Sequence, residues 1–503
     1  MIYESTRNRK TKVSASEAIV KGISDEGGLF VPDSLPYYKK ETISKMVKAD
    51  YMGIAKIILS DFLSDFTEEE IDDSLNNAYL KGNFENDSPA PVYMNLKNNE
   101  IFILELFHGP TCAFKDIALQ LLPQLLTKSL RKTCPDKKAV ILVATSGDTG
   151  KAALEGFKNV ENTIAMVFYP QNGVSQMQKL QMVTQEGTNV KVCAVKGNFD
   201  DIQTEIKRIF TDEKLILKLK EKSMIFSSAN SINWGRLLPQ IVYYFSAYCN
   251  LLKHDKIKPG EKVNFVVPTG NFGNILAGFY AKEMGLPINK LICASNSNCV
   301  LTDFIKTGTY NKNREFYLTN SPSMDILVSS NLERLIYHLY NKDSEKVASL
   351  MNNLKNQGFY SVDKGVKEKM SELFYGAYCD CEETEKTIKT VFKEHNYLCD
   401  THTAVAFNVY KQYKDETKDK TKTIILATAS PYKFAPSVFK SLFVDDFDKD
   451  KMDENEIIRI ISDKTNTIVP VPISSVRKKQ IRFLETCAIP DISDYVINNL
   501  YNI

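Results

Sequence analysis

The residues whose types and spacing suit chemistry start at "HGPTCAFKDIALQ", His108–Gln120, which sets Lys115 between Phe114 and Asp116 at an apparent helix start. A lysine there is by default a solvated side chain. Two other chemistries are open to it. It can bind phosphate as a point charge. In a desolvated pocket that lowers its basicity, it can instead act as a nucleophilic amine and form a Schiff base. The flanks favour burial, since apolar "IFILELF" leads in and "IALQLLPQLL" leads out. Spacing alone does not choose between phosphate binding and imine formation.

Three further stretches suit anions. "PTGNFGNILAG", Pro268–Gly278, follows the apolar run "VNFVV". Gly270 and Gly273 allow tight turning, and loop N–H groups with a helix N-terminus behind them suit a phosphate. A strand-to-helix turn capped by asparagine is an equal reading. The loop is neither a Walker A loop nor a dinucleotide fingerprint. "ATSGDTGKAA", Ala144–Ala153, offers Ser146, Thr149 and loop N–H groups to a carboxylate or phosphate. Helix capping alone also accounts for its Ser, Asp and Thr. "SSANSINWGRLLPQ", Ser227–Gln240, gathers Asn230, Ser231, Asn233 and Arg236 around the single tryptophan, Trp234. A guanidinium about one turn into a helix opposes the helix macrodipole, which favours an anionic partner over decoration. Two anion loops in one sheet system point to a small ligand with more than one anionic group. Cys379 and Cys381 have no matching pair, and the five histidines show no metal-ligand spacing.

The elements that must position these residues follow an α/β pattern. Up to about residue 95 the texture is mainly helical. Beyond it, the short apolar runs "IFILELF", "KAVILVATS", "TIAMVFYP", "VKVCAVKG", "KVNFVVPTG", "KLICAS" and "KTIILATAS" alternate with helical segments. Strands rich in Val and Ile separated by helices predict parallel sheets built from βαβ units. The anion loops fall at strand carboxyl ends, where open α/β sheets bind ligands. The expected division is an N-terminal helical region over 1–95 and a large α/β domain over 96–135 and 255–440, with a helical insertion at about 300–400. A small α/β domain over 136–254 and a C-terminal helical tail over 441–503 complete it. The acidic-basic "FVDDFDKDKMDENE" before the tail reads as a solvated loop.

The 503 residues, with a formal net charge of +2, carry no nucleic-acid or membrane-surface footprint. No apolar run reaches the ~18 residues of a membrane span. The first residues lack the apolar core of a secretory signal. Ten scattered cysteines fit a reducing, cytoplasmic compartment.

"LELFHGPTCAFKDIALQ" resembles the cofactor-lysine motif of threonine synthases, pyridoxal-phosphate enzymes of fold type II. "YESTR" with "SEAIVKGISDEGGLFVP", then "ATSGDTGKAA", "SANSINWGRLLPQ", "VVPTGNFGNILAGFYAKEMGLP", "SPSMDILVSSNLERL" and "DTHTAVAF", resemble that family's other blocks in order. The resemblance implies two open, mostly parallel α/β sheet domains and a Schiff base between Lys115 and pyridoxal 5'-phosphate. It implies that Gly270, Asn271, Phe272, Gly273 and Asn274 cradle the cofactor phosphate. Thr428 would bond the pyridine nitrogen, and Asp148 would lie near the phenolic oxygen. Ser146, Gly147 and Thr149 would hold the substrate α-carboxylate, with Ser231, Asn233 and Arg236 at the substrate phosphate. The implied reaction turns O-phospho-L-homoserine and water into L-threonine and phosphate, in a monomer or homodimer. Ser430 stands where many members carry a histidine, and "NGVSQMQ" around Gly173 stands where many carry a basic residue. A phospho-lyase releasing 2-oxobutyrate, ammonia and phosphate shares the same motifs. A non-catalytic metabolite-binding protein would share the scaffold.

Overall fold

A computed structural model describes residues 1–80, 82–97, 99–145, 147–443 and 452–500. The solvated-loop reading at 443–456 falls largely on 444–451, outside the described residues.

The seven apolar runs are strands, and they divide between two sheets. The larger sheet has the order Phe374–Tyr378, Ile288–Ser295, Val263–Pro268, Thr423–Ala427, Ile101–Glu105, Val92–Tyr93. Its pairings are parallel except for the antiparallel edge Val92–Tyr93. The smaller sheet runs Thr486–Ala488, Val190–Lys196, Thr163–Pro170, Lys138–Ala144, Met224–Ser227 and is parallel throughout.

Side-chain alternation explains why the inner strands read as continuous apolar runs. Phe102 and Leu104 enter one core, while Ile101 and Ile103 enter another behind the large sheet. Ala139, Ile141 and Val143 join the first core, while Val140 and Leu142 face a third core behind the small sheet. The first core therefore lies between the two sheets. Two helices fill it, Lys115–Thr133 and Trp234–Lys253, with 13 of 19 and 17 of 20 residues buried. This removes enough apolar surface from water, at roughly 25 cal/mol per Å², to outweigh a proline inside each helix, Pro123 and Pro239.

Three expectations need correction. The N-terminal region is not only helical. Tyr3–Ser5 pairs antiparallel with Lys12–Val13 and with Phe30–Pro32, ahead of the helices Tyr51–Phe62 and Glu68–Tyr79. The 300–400 insertion supplies a strand of the large sheet, Phe374–Tyr378, aligned on Ile288–Ser295. The C-terminal tail also supplies a strand, because Thr486–Ala488 pairs with Ala194–Lys196 and covers the edge of the small sheet. An uncovered edge would leave a row of backbone groups unpaired.

Candidate active site

Lys115 opens its helix from a turn stitched across the large sheet. The Asp116 carboxylate accepts from the Thr111 N–H at 2.8 Å and from the Thr111 hydroxyl at 2.5 Å. The Phe114 N–H donates to the Thr428 carbonyl at 2.9 Å, and Ala113 bridges Ala429. Together these contacts tie the ends of two adjacent strands to the root of the lysine.

The Lys115 amine lies 3.4 Å from Oδ2 of Asp148 and 3.3 Å from the Ser323 hydroxyl, which itself donates to the same Oδ2 at 3.1 Å. The other Asp148 oxygen, Oδ1, receives Lys433 Nζ at 2.7 Å and Gln178 Nε2 at 3.0 Å. Burial pushes the Lys115 amine below its ordinary basicity. Asp148 opposes that shift, while Lys433 and Arg236 add to it. Burial alone would raise the Asp148 carboxyl, but Lys433 and then Lys115 hold it well below the carboxylate range. The site therefore sets a carboxylate held in its anionic form beside an amine whose basicity burial lowers.

The amine opens into a cavity of about 210 Å³. One wall is the Gly270–Asn274 loop. A side chain at Gly270 would bring its Cβ to 2.9 Å from the Ser323 carbonyl oxygen. Phe272 adopts a left-handed φ of 63° and offers no side-chain cap, so the first N–H groups of the helix Gly273–Glu283 lack an intrahelical partner. The Ser329 hydroxyl pins the Gly270 carbonyl at 2.8 Å, and Asn331 pins the Asn271 carbonyl. Oδ1 of Asn274 accepts from Tyr243 at 2.5 Å and Tyr244 at 3.0 Å, while its Nδ2 is buried with no partner. Free N–H groups and an orphaned amide donor fit a phosphate. They answer the requirement of pyridoxal phosphate beside an amine.

Lys115, Thr149, Ser231, Arg236, Gly270–Asn274 and Thr428 all line this cavity. Asp148 sits behind the amine as its partner, and Gly147 precedes it as helix N-cap with a φ of 135°. Ser146 lies outside the described residues. Arg236 gives Nη1 to the Ala229 carbonyl at 2.9 Å, and its Nε is buried without a partner. Asn233 is a correction. Its Oδ1 caps the Gly235 N–H at 2.9 Å, and both Nδ2 hydrogens go to the Ile19 and Ser228 carbonyls. It has no donor left for a phosphate and serves as a helix cap. Ser430 is buried with its hydroxyl unpartnered, and its N–H donates to the Cys112 carbonyl at 3.0 Å.

Four residues at the amine had no assigned role: Ser323, Lys433, Gln178 and His402. His402 accepts the Ser323 N–H on Nε2 at 3.1 Å, and its Nδ1 meets Asp400 at 2.6 Å. His402 lies in the "DTHTAVAF" block, two residues after a carboxylate, Ser323 lies in "SPSMDILVSSNLERL" and Gln178 ends "NGVSQMQ". Among the described residues, no group of three or more His, Cys, Asp or Glu is placed to hold a metal, and no helix is long and apolar enough to cross a membrane.

A parallel α/β scaffold that aims a buried amine at a phosphate cradle defines a pyridoxal-phosphate-dependent enzyme of fold type II, and the family model "Pyridoxal-phosphate dependent enzyme" matches residues 89–429. The model "Threonine synthase N terminus" matches 2–79, and "Threonine synthase, C-terminal" matches 403–465. The chain belongs to the threonine synthase family. It is 37% identical over 467 residues to the threonine synthase of Saccharomyces cerevisiae, covering 88% of this chain and 89% of that one. It is 44% identical over 445 residues to human "Threonine synthase-like 1", covering 86% of this chain, and it spans 58% of the length of that relative. The structure of pyridoxal-phosphate-bound threonine synthase from Brucella melitensis superposes with a TM-score of 0.86 at 33% identity, covering 99% of each chain.

Proposed function

We propose that the chain converts O-phospho-L-homoserine and water to L-threonine and phosphate, in the cytoplasm, as a monomer or homodimer. The observation that carries this reading is one cavity in which a weakly basic Lys115 amine, a phosphate cradle and a separate buried cation, Arg236, face each other. Two anion sites flanking one amine match a phosphorylated cofactor and a phosphorylated amino acid. Likeness over nearly the full length of the yeast enzyme supports the same reading.

When bound, pyridoxal phosphate supplies an electron sink for negative charge developing at the substrate Cα. The chain's own residues do the rest. The Gly270–Asn274 loop and Asn274 Nδ2 bind the cofactor phosphate. Thr428, which lines the cavity, would offer the ring nitrogen a neutral hydroxyl. Gly147 and Thr149 would take the substrate carboxylate on the N-terminal turn of Asp148–Phe157, where the helix dipole favours an anion. Ser231 and Arg236 take the substrate phosphate. The Lys115 amine would be the base at Cα and the carrier for later proton transfers. A lowered basicity keeps more of it unprotonated near neutral pH.

Purified protein supplied with O-phosphohomoserine is expected to release threonine and phosphate in equal amounts. Release of 2-oxobutyrate and ammonia instead would overturn the reading in favour of a phospho-lyase, and no phosphate release would favour a binding protein. Borohydride reduction followed by peptide mapping is expected to place a pyridoxyl group on Lys115. Lys115→Arg should abolish that adduct, and an adduct elsewhere removes Lys115 from its role.

A further inference from the structure

Two amines share one buried carboxylate. Lys115 approaches Oδ2 of Asp148 at 3.4 Å and Lys433 approaches Oδ1 at 2.7 Å, with the Asp148 and Lys433 side chains 1% and 0% exposed. The two cations are not equivalent. Lys433 also donates to the Thr111 carbonyl at 2.8 Å, in the turn that carries Lys115, so its position is fixed by partners that take no part in chemistry. Lys115 must give up its ammonium charge to act as a nucleophile. If it were the only cation on Asp148, each such event would strand a buried anion, and the carboxylate would hold the proton on the amine.

We propose that Lys433 is the standing counter-ion of Asp148, a positioning residue that lets the Lys115 amine lose its proton and its ion pair while the buried carboxylate stays compensated. This rests on the reading of Lys115 as the cofactor lysine. The groups around the amine agree with it. Asp148 faces it from Asp148–Phe157, Arg236 from Trp234–Lys253, and Lys433 from the turn after Thr423–Ala427. His402, from Thr401–Thr417, stands behind Ser323, and Asp116 is taken up by Thr111. Asp148 therefore opposes two cations at the amine, and one of those cations is clamped directly to it.

The test uses the whole 503-residue chain without cofactor, so it does not depend on which product the loaded enzyme makes. The pH dependence of Lys115 acetylation by trace acetic anhydride, read by peptide mass spectrometry, gives the midpoint at which the amine loses its proton. Lys433→Met is expected to raise that midpoint by about one pH unit or more, a roughly tenfold loss of labelling rate at fixed pH. Lys433→Arg should leave it near wild type. Lys433→Met combined with Asp148→Asn should return it to within about half a unit. An unchanged midpoint in Lys433→Met overturns the proposal, as does a double variant as raised as the single one. If Lys433→Met does not fold, a folded double variant with a near-wild-type midpoint supports the proposal. A double variant that also fails, while Asp148→Asn folds, overturns it by giving Lys433 a purely structural role. Borohydride mapping of the wild-type holoprotein judges the Lys115 assignment separately.

Discussion

The Tyr243 hydroxyl donates to Oδ1 of Asn274 at 2.5 Å, and Tyr244 reaches the same oxygen at 3.0 Å. With the Tyr243 hydroxyl on Oδ1, Nδ2 is left as a buried donor without a partner in a residue that lines the cavity. Burial holds both phenols well above their ordinary range, so they remain donors at any working pH. Asn274→Ala should weaken pyridoxal phosphate binding about 10- to 100-fold, the ~1.5–3 kcal/mol of a hydrogen bond to a charged group. Titration of the cofactor-free protein checks this. Pyridoxal, which lacks the phosphate, should bind wild type and variant alike. An equal loss for both ligands would place the effect outside the cradle.

His338 packs in the core against Tyr280, whose hydroxyl lies 3.0 Å from its Nε2. Burial, reinforced by Lys342, pushes its imidazole from 6.5 down to about 4. The unfolded chain takes up this proton near pH 6.5 and the folded chain resists until about 4. The folded state therefore binds fewer protons across that window. Stability from this group is complete above pH 6.5 and is lost progressively toward pH 4, up to about 3 kcal/mol. His338→Gln keeps a polar partner for Tyr280 and should flatten the urea midpoint between pH 6.5 and 4. Parallel curves for the two proteins would count against the assignment.

Gly156 marks the crossing of Asp148–Phe157 over Lys115–Thr133. A Cβ there would stand 1.8 Å from the Leu119 carbonyl oxygen. Backbone cannot yield as a side-chain tip can, so Gly156→Ala should cost roughly 1–3 kcal/mol by overpacking. It would also shift Asp148 against Lys115. Gly365, in Lys364–Leu373, has nothing within 4 Å of its would-be Cβ. Gly365→Ala should instead stabilise by about 0.5–1 kcal/mol. Thermal unfolding of the two variants should move in opposite directions.

These cases show which parts of the molecule could be read in advance. Runs such as Lys138–Ala144 and Val263–Pro268 are buried on both faces, so their residues are apolar apart from Lys138 at the exposed start of the first and Asn264 in the second. The edge strand Phe374–Tyr378 has a half-buried pattern with a glycine at its centre, and Met224–Ser227 is only four residues long. Neither has a local signal distinct from its helical surroundings. Their partners lie far away in sequence. The same division runs through the site. Lys115 and the Gly270–Asn274 loop belong to local strand-turn-helix units whose types announce them. Ser323 reaches Lys115 across 208 positions, and Lys433 reaches the Thr111 carbonyl across 322. Only packing brings such pairs together. Asn233 shows the converse: its type and spacing fit a phosphate ligand, but three neighbouring backbone groups use its whole side chain.

Arg236 is a buried cation lining the cavity with hydrogen-bonding capacity to spare. Burial pushes its guanidinium down to about 10, so it stays charged at neutral pH. Nη1 is spent on the Ala229 carbonyl, while Nε is buried with no partner. A buried cation is costly unless an anion completes it. Arg236→Met should therefore weaken binding of O-phosphohomoserine to the cofactor-free protein by about 10- to 100-fold, or roughly 1.5–3 kcal/mol. Arg236→Lys should recover only part of this, because a point charge cannot supply the planar donor set. Calorimetric titration measures both losses. Pyridoxal phosphate affinity in the same variants separates the two anion sites, since the Gly270–Asn274 cradle does not use this side chain. If cofactor binding falls and substrate binding does not, Arg236 serves the cofactor phosphate, and the substrate phosphate must be sought at another wall of the cavity.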